Sequence, residues 1–189
     1  MMITLQRFST LLLLMFCSVF LTHNAYAEYE EIEWVELIPA DDLAALLDPP
    51  SWLDDIEDGS FEDQISNQIL GALEMSGDSR YQQALSSTQV VEAYDNRQIR
   101  LPGFAVPVEM NDKQQVTEFF LVPYFGACIH YPPPPPNQII YVHVPGGITI
   151  DSIYEPYWVE GLLRTSLVEN EIAVSAYSLF ADQVYLYTE

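Results

Sequence analysis

The chain has 189 residues, 28 acidic against 6 basic side chains, and a formal net charge of −22. Such a field repels nucleic acid and anionic membrane surfaces, which sets nucleic acid aside as a partner, and it favours cations or basic proteins. With 49% hydrophobic residues there is material for one ordinary domain with a real core.

At the N-terminus Arg7 precedes the apolar run Leu11–Leu21, and Ala25-Tyr26-Ala27 follows it. The run suits a signal-peptide core and is shorter than the ~20 residues of a membrane span. Residues 1–27 are therefore expected to be a cleavable signal peptide that exports a soluble protein to the bacterial periplasm. Cys17, preceded by Met15-Phe16, does not look like a lipid-attachment cysteine, so a lipoprotein is not expected. Loss of Arg7 with the leader takes the charge to −23. No other apolar run predicts a membrane span.

Residues 28–60 form an acidic arm, which Trp34, Val35, Leu37 and Ile38 equip to dock on a domain. A short helix is predicted over Asp41–Leu47, stopped by Pro49-Pro50. The globular domain is expected to span 61–189. It opens on a helix at about 61–75, where Ser60 and Asp63 cap a stripe of Phe61, Ile65, Ile69, Ala72 and Leu73. From Gln98 the texture changes. Stretches 99–109, 116–124, 138–144, 157–165 and 173–187 are rich in Val, Ile, Phe, Tyr and Leu, and Gly and Pro punctuate them. The predicted class is α+β, mainly β: a small OB-like or Greek-key barrel, or a strongly twisted antiparallel sheet.

Cys128 is the one cysteine left after removal of the leader, so it has no partner for an internal bridge. In an extended chain Cys128 and His130 point to the same face. A thiolate beside an imidazole suits zinc or copper, with His143, Glu109 and Glu118 as candidates for the remaining ligands. Two other readings of Cys128 stay open: a buried structural thiol and a reactive nucleophile served by a histidine base.

Next comes Pro132, Pro133, Pro134, Pro135 and Pro136, a polyproline stretch rising ~3.1 Å per residue and so roughly 16 Å long. It cannot be a central strand. Either it is a rigid cross-connection packed on aromatic rings, or it presents a ridge to a partner with Tyr124, Phe125, Tyr131 and Asn137 around it. No nucleophile elbow, phosphate loop, His-Glu-x-x-His or dinucleotide pattern occurs, which weighs against an enzyme.

The combination Leu101-Pro102-Gly103-Phe104, Val106-Pro107-Val108-Glu109, Phe120 to His130, the proline run ending at Asn137-Gln138 and Trp158-Val159-x-Gly161 resembles an exported bacterial family, domain of unknown function 3299. The resemblance covers about residues 95–185, leaving the acidic arm outside. It implies export, a compact domain and company with envelope transporter components handling metal or lipoprotein cargo; it names no reaction. In that pattern Cys128 and His130 are more fixed than His143. Residues and resemblance together predict a non-enzymatic periplasmic accessory protein. It would bind a transition metal through Cys128 and His130, or serve an envelope transporter through the proline ridge. A thiol-dependent enzyme is the third reading.

Overall fold

A computed structural model describes residues 29–48, 80–127 and 134–188. The expected leader, the expected helix at 61–75, and Cys128, His130, Tyr131, Pro132 and Pro133 lie outside the described residues.

The described chain runs β1 (Glu30–Glu31), α1 (Ala40–Leu46), α2 (Arg80–Leu85), β2 (Arg97–Met110), β3 (Val116–Val122), β4 (Ile140–Ile148), β5 (Tyr157–Glu169) and β6 (Val174–Leu186). The sheet order is β1-β2-β3-β4-β6-β5, and β2 also pairs with β5, so β2, β3, β4, β6 and β5 close into a five-stranded barrel. All pairs within the barrel are antiparallel except β4–β6, which is parallel. The barrel alternative of the sequence reading is the one adopted, with β1 added in parallel on β2.

The periodicity of two decides which side chains fill the barrel. Along β2 every second residue from Ile99 to Ala105 is buried. Ile99 and Leu101 meet Phe119, Leu121, Ile140, Val142, Val159, Leu163, Tyr177 and Leu179 inside. β3 departs from strict alternation because it is buried on both faces. Phe119 and Leu121 point inward, while Phe120 and Val122 join a second cluster with Ala127, Ile139 and Tyr141 on the outside. That double burial is why its second half, Phe119–Val122, is a continuous apolar run.

β2 serves two partners in succession: residues 97–103 pair with β5, and 104–110 with β3. Pro102 and Pro107 sit in this strand, where a missing N–H is tolerated only at edges or irregularities. The register indeed shifts just after Pro107. A second irregularity falls at Gly161, where a Cβ would stand 2.1 Å from the Phe180 carbonyl oxygen. Only glycine admits that approach of β5 to β6.

The acidic arm is part of this packing. Ile32 and Leu37 belong to the barrel core. The Trp34 indole N–H donates to the Pro102 carbonyl at 2.7 Å, and Glu30 and Glu31 pair with Arg97 and Arg100. The Tyr177 hydroxyl donates to the Leu37 carbonyl and accepts from the Val91 N–H, which fixes the arm from inside the barrel. Burial pushes the Tyr177 phenol up to about 12.

A cleft at the exit of β3

Where β2 leaves β5 for β3, a gap opens beside Phe104. Pro123 follows β3, and the chain turns through Phe125, Gly126 and Ala127, with Gly126 at φ 79° and the Ala127 N–H donating to the Tyr124 carbonyl. The β4–β5 connection brings Ile153 to the other side. Together Phe104, Ala105, Val106, Pro107, Val122, Phe125, Gly126, Ala127 and Ile153 line a cleft of about 200 Å³ with almost wholly apolar walls. Its rim is aromatic. Phe104 and Phe125 meet edge to face at 6.1 Å, and Phe125 lies 4.9 Å from Tyr154. Tyr154 is 70% exposed and Ile153 46%, so large apolar groups face solvent here.

A larger hollow of about 460 Å³ lies between the end of α2, Pro134 and Pro136, and the β5–β6 hairpin. Ser86, Thr88 and Glu169 mix with its apolar walls, and no aromatic ring among the described residues lines it. Size favours this hollow, whereas rigid aromatic anchors mark recognition surfaces. We therefore place the candidate site at the smaller cleft.

Three of the candidate ligands for a metal lie among the described residues. Glu109, Glu118 and His143 fall in one cross-strand row on β2, β3 and β4. Glu118 is already engaged. It accepts the Tyr141 hydroxyl on one oxygen and faces His143 Nδ1 at 3.1 Å on the other. His143 in turn stacks on Phe180 at 5.0 Å. Burial and then the Glu118 hydrogen bond push the Tyr141 phenol above its ordinary range. No group of three or more metal-ligating side chains forms among the described residues. Cys128 and His130, the other two candidates, lie outside the described residues.

Of the residues expected to meet a partner, Phe125 forms the cleft wall and Tyr124 sits half-exposed in the same turn. The described end of the proline run behaves differently. Pro134 and Pro135 are buried, and Pro136–Gln138 forms a 3-10 turn. Asn137 is 0% exposed, its amide donating to the Gln89 carbonyl and reaching Asp42. This end is therefore packed into the scaffold, as a rigid cross-connection would be. Ile153 and Tyr154 escaped the sequence reading. They sit in a connection without periodicity, and only the strand order brings them to Phe104 and Phe125.

The fold and site thus define a small closed β-barrel with an aromatic-rimmed apolar cleft. Residues 34–186 match the family described as a protein of unknown function (DUF3299), and the chain belongs to that family. It is similar to a DUF3299 family protein from Pseudomonas aeruginosa PAO1 of known crystal structure. The two are 36% identical with a TM-score of 0.61, over 86% of this chain and 98% of that one. No curated protein matches. The match begins at Trp34, which corrects the expectation that the acidic arm lies outside the family-like region. The physical reason is that Trp34 and Leu37 are structural parts of the barrel. No helix among the described residues is long and apolar enough to cross a membrane.

Proposed function

We propose that the protein is a non-enzymatic accessory module of the cell envelope that docks an apolar side chain of a protein partner in the cleft at Phe104, Phe125 and Ile153. One observation carries this reading: a preformed apolar cleft whose aromatic rim is held by ring contacts yet exposed. At about 200 Å³ it falls below the ~300 Å³ at which sites for drug-sized ligands begin, so one anchoring side chain is the fitting guest. Anchors of that kind supply most of the energy of an interface.

The test is a photoreactive phenylalanine analogue placed at Tyr154 or, as control, at the exposed Leu167 on β5. A discrete crosslinked partner from Tyr154, lost with Ile153→Ser and absent from Leu167, supports docking at the cleft. Equal labelling from both positions contradicts it.

A second reading adds transition-metal handling, with zinc or copper held by Cys128 and His130. In the sequence Cys128 directly follows Ala127, a residue of the cleft. Elemental analysis of untagged protein beside Cys128→Ser decides it: stoichiometric metal lost in the variant supports the reading, and no metal in either removes it.

A further inference from the structure

We infer that the segment docked in the cleft is basic, an aromatic or large apolar anchor flanked by arginine or lysine, an inference that rests on the docking reading above. The first ground is the ion pairing of the chain itself. All four arginines among the described residues are already held by the chain's own carboxylates: Arg80 by Asp41 and Asp42, Arg97 by Glu30, Arg100 by Glu31 and Arg164 by Asp95. Among the described residues Lys113, in the β2–β3 turn, is the one arginine or lysine outside an ion pair. Almost nothing positive is left to receive an acidic guest.

The second ground lies at the cleft. Ile153 and Tyr154 are flanked by Asp151 and Glu155, both exposed. Neither enters an ion pair among the described residues. An apolar guest entering beside Ile153 brings its neighbours past these two carboxylates. The overall charge of −22 acts in the same direction at longer range. A basic flank is steered in and retained, whereas an acidic one meets like charge both locally and globally. The aromatic rim adds a face on which a guanidinium can rest.

The experiment uses the full chain and three twelve-residue peptides with one central tryptophan, flanked by arginines, glutamines or glutamates. Affinities are measured by calorimetry at 50 and 300 mM NaCl. The arginine peptide is expected to bind at least tenfold tighter than the glutamine peptide at low salt, with the glutamate peptide weakest. That preference is expected to shrink at high salt, as screening requires. Asp151→Asn with Glu155→Gln should bring the arginine and glutamine peptides within threefold of each other. Replacing the tryptophan by alanine should cost at least tenfold.

Equal binding of the arginine and glutamine peptides, both weakened by Ile153→Ser, overturns the basic guest while leaving docking intact. Binding that ignores both the tryptophan and Ile153→Ser overturns docking, and the inference falls with it. No binding by any peptide counts against both. Ile153 stands in an exposed connection, so its variant folds irrespective of the outcome.

Discussion

Two apolar surfaces of this barrel met different fates. At the first, the arm from Glu30 to Leu46 covers the barrel and satisfies its polar groups as it does so. Trp34 donates to Pro102, Gln138 donates to the Trp34 carbonyl, and Tyr177 closes the Leu37 carbonyl. At the second, Phe104, Phe125, Ile153 and Tyr154 gather without a described segment seated in the cleft between them. Burial alone does not separate the two, since both are built from aromatic and branched side chains. The difference lies in whether a described segment of the chain covers the surface and brings its hydrogen-bond partners. The first surface is structure, and the second is the one we propose for a partner.

Substitutions should divide along the same line. The largest effect is expected from Leu37→Ala, which empties a fully buried site and should cost about 2–5 kcal/mol in denaturant unfolding. Next comes Tyr177→Phe. It leaves the Leu37 carbonyl and the Val91 N–H without their partner, for about 2 kcal/mol by the same measurement.

The same tyrosine predicts a pH dependence. The folded phenol titrates near 12 and the unfolded one near its ordinary 10.0, so the folded state holds the proton more tightly. Its contribution is complete below pH 10 and is lost as the pH rises towards 12. Thermal midpoints should therefore fall across that window, and less steeply in Tyr177→Phe. A flat profile would remove Tyr177 from the account of the closed surface.

At the open surface, Ile153→Ser should change stability by no more than about 0.5 kcal/mol while weakening peptide binding at least tenfold. A large stability loss there would make the cleft a piece of core and erase the contrast. The smallest effect is expected from Arg97→Ala. It breaks an exposed pair with Glu30, and the thermal midpoint should stay within error.

Much of the barrel was legible because its strands obey simple patterns. The stretch 99–109 became Arg97–Met110, and 157–165 lengthened to Tyr157–Glu169. The helix expected at Asp41–Leu47 stands at Ala40–Leu46. The stretch expected from Gln138 starts instead at Ile140, because Pro136–Gln138 closes a 3-10 turn first. The role of the arm was less legible. Its charge dominates its sequence, while Ile32 and Leu37 act through contacts nearly 70 or more residues away. The cleft was legible only on the side of Phe125, which an unusual local sequence singled out. The other side depends on a chain reversal that brings Ile153 near Pro107, and no local pattern encodes that.

The central claim is that the cleft is where this protein meets its partner. It is tested most directly by the amide shift changes of isotope-labelled full chain on titration with the arginine-flanked tryptophan peptide. The account predicts saturable shifts concentrated at Phe104, Val106, Phe125, Gly126 and the 151–155 connection, with the arm at 30–46 unmoved. Shifts centred on the arm or on the hollow at Leu85 and Ile172, or none at the cleft, would contradict it.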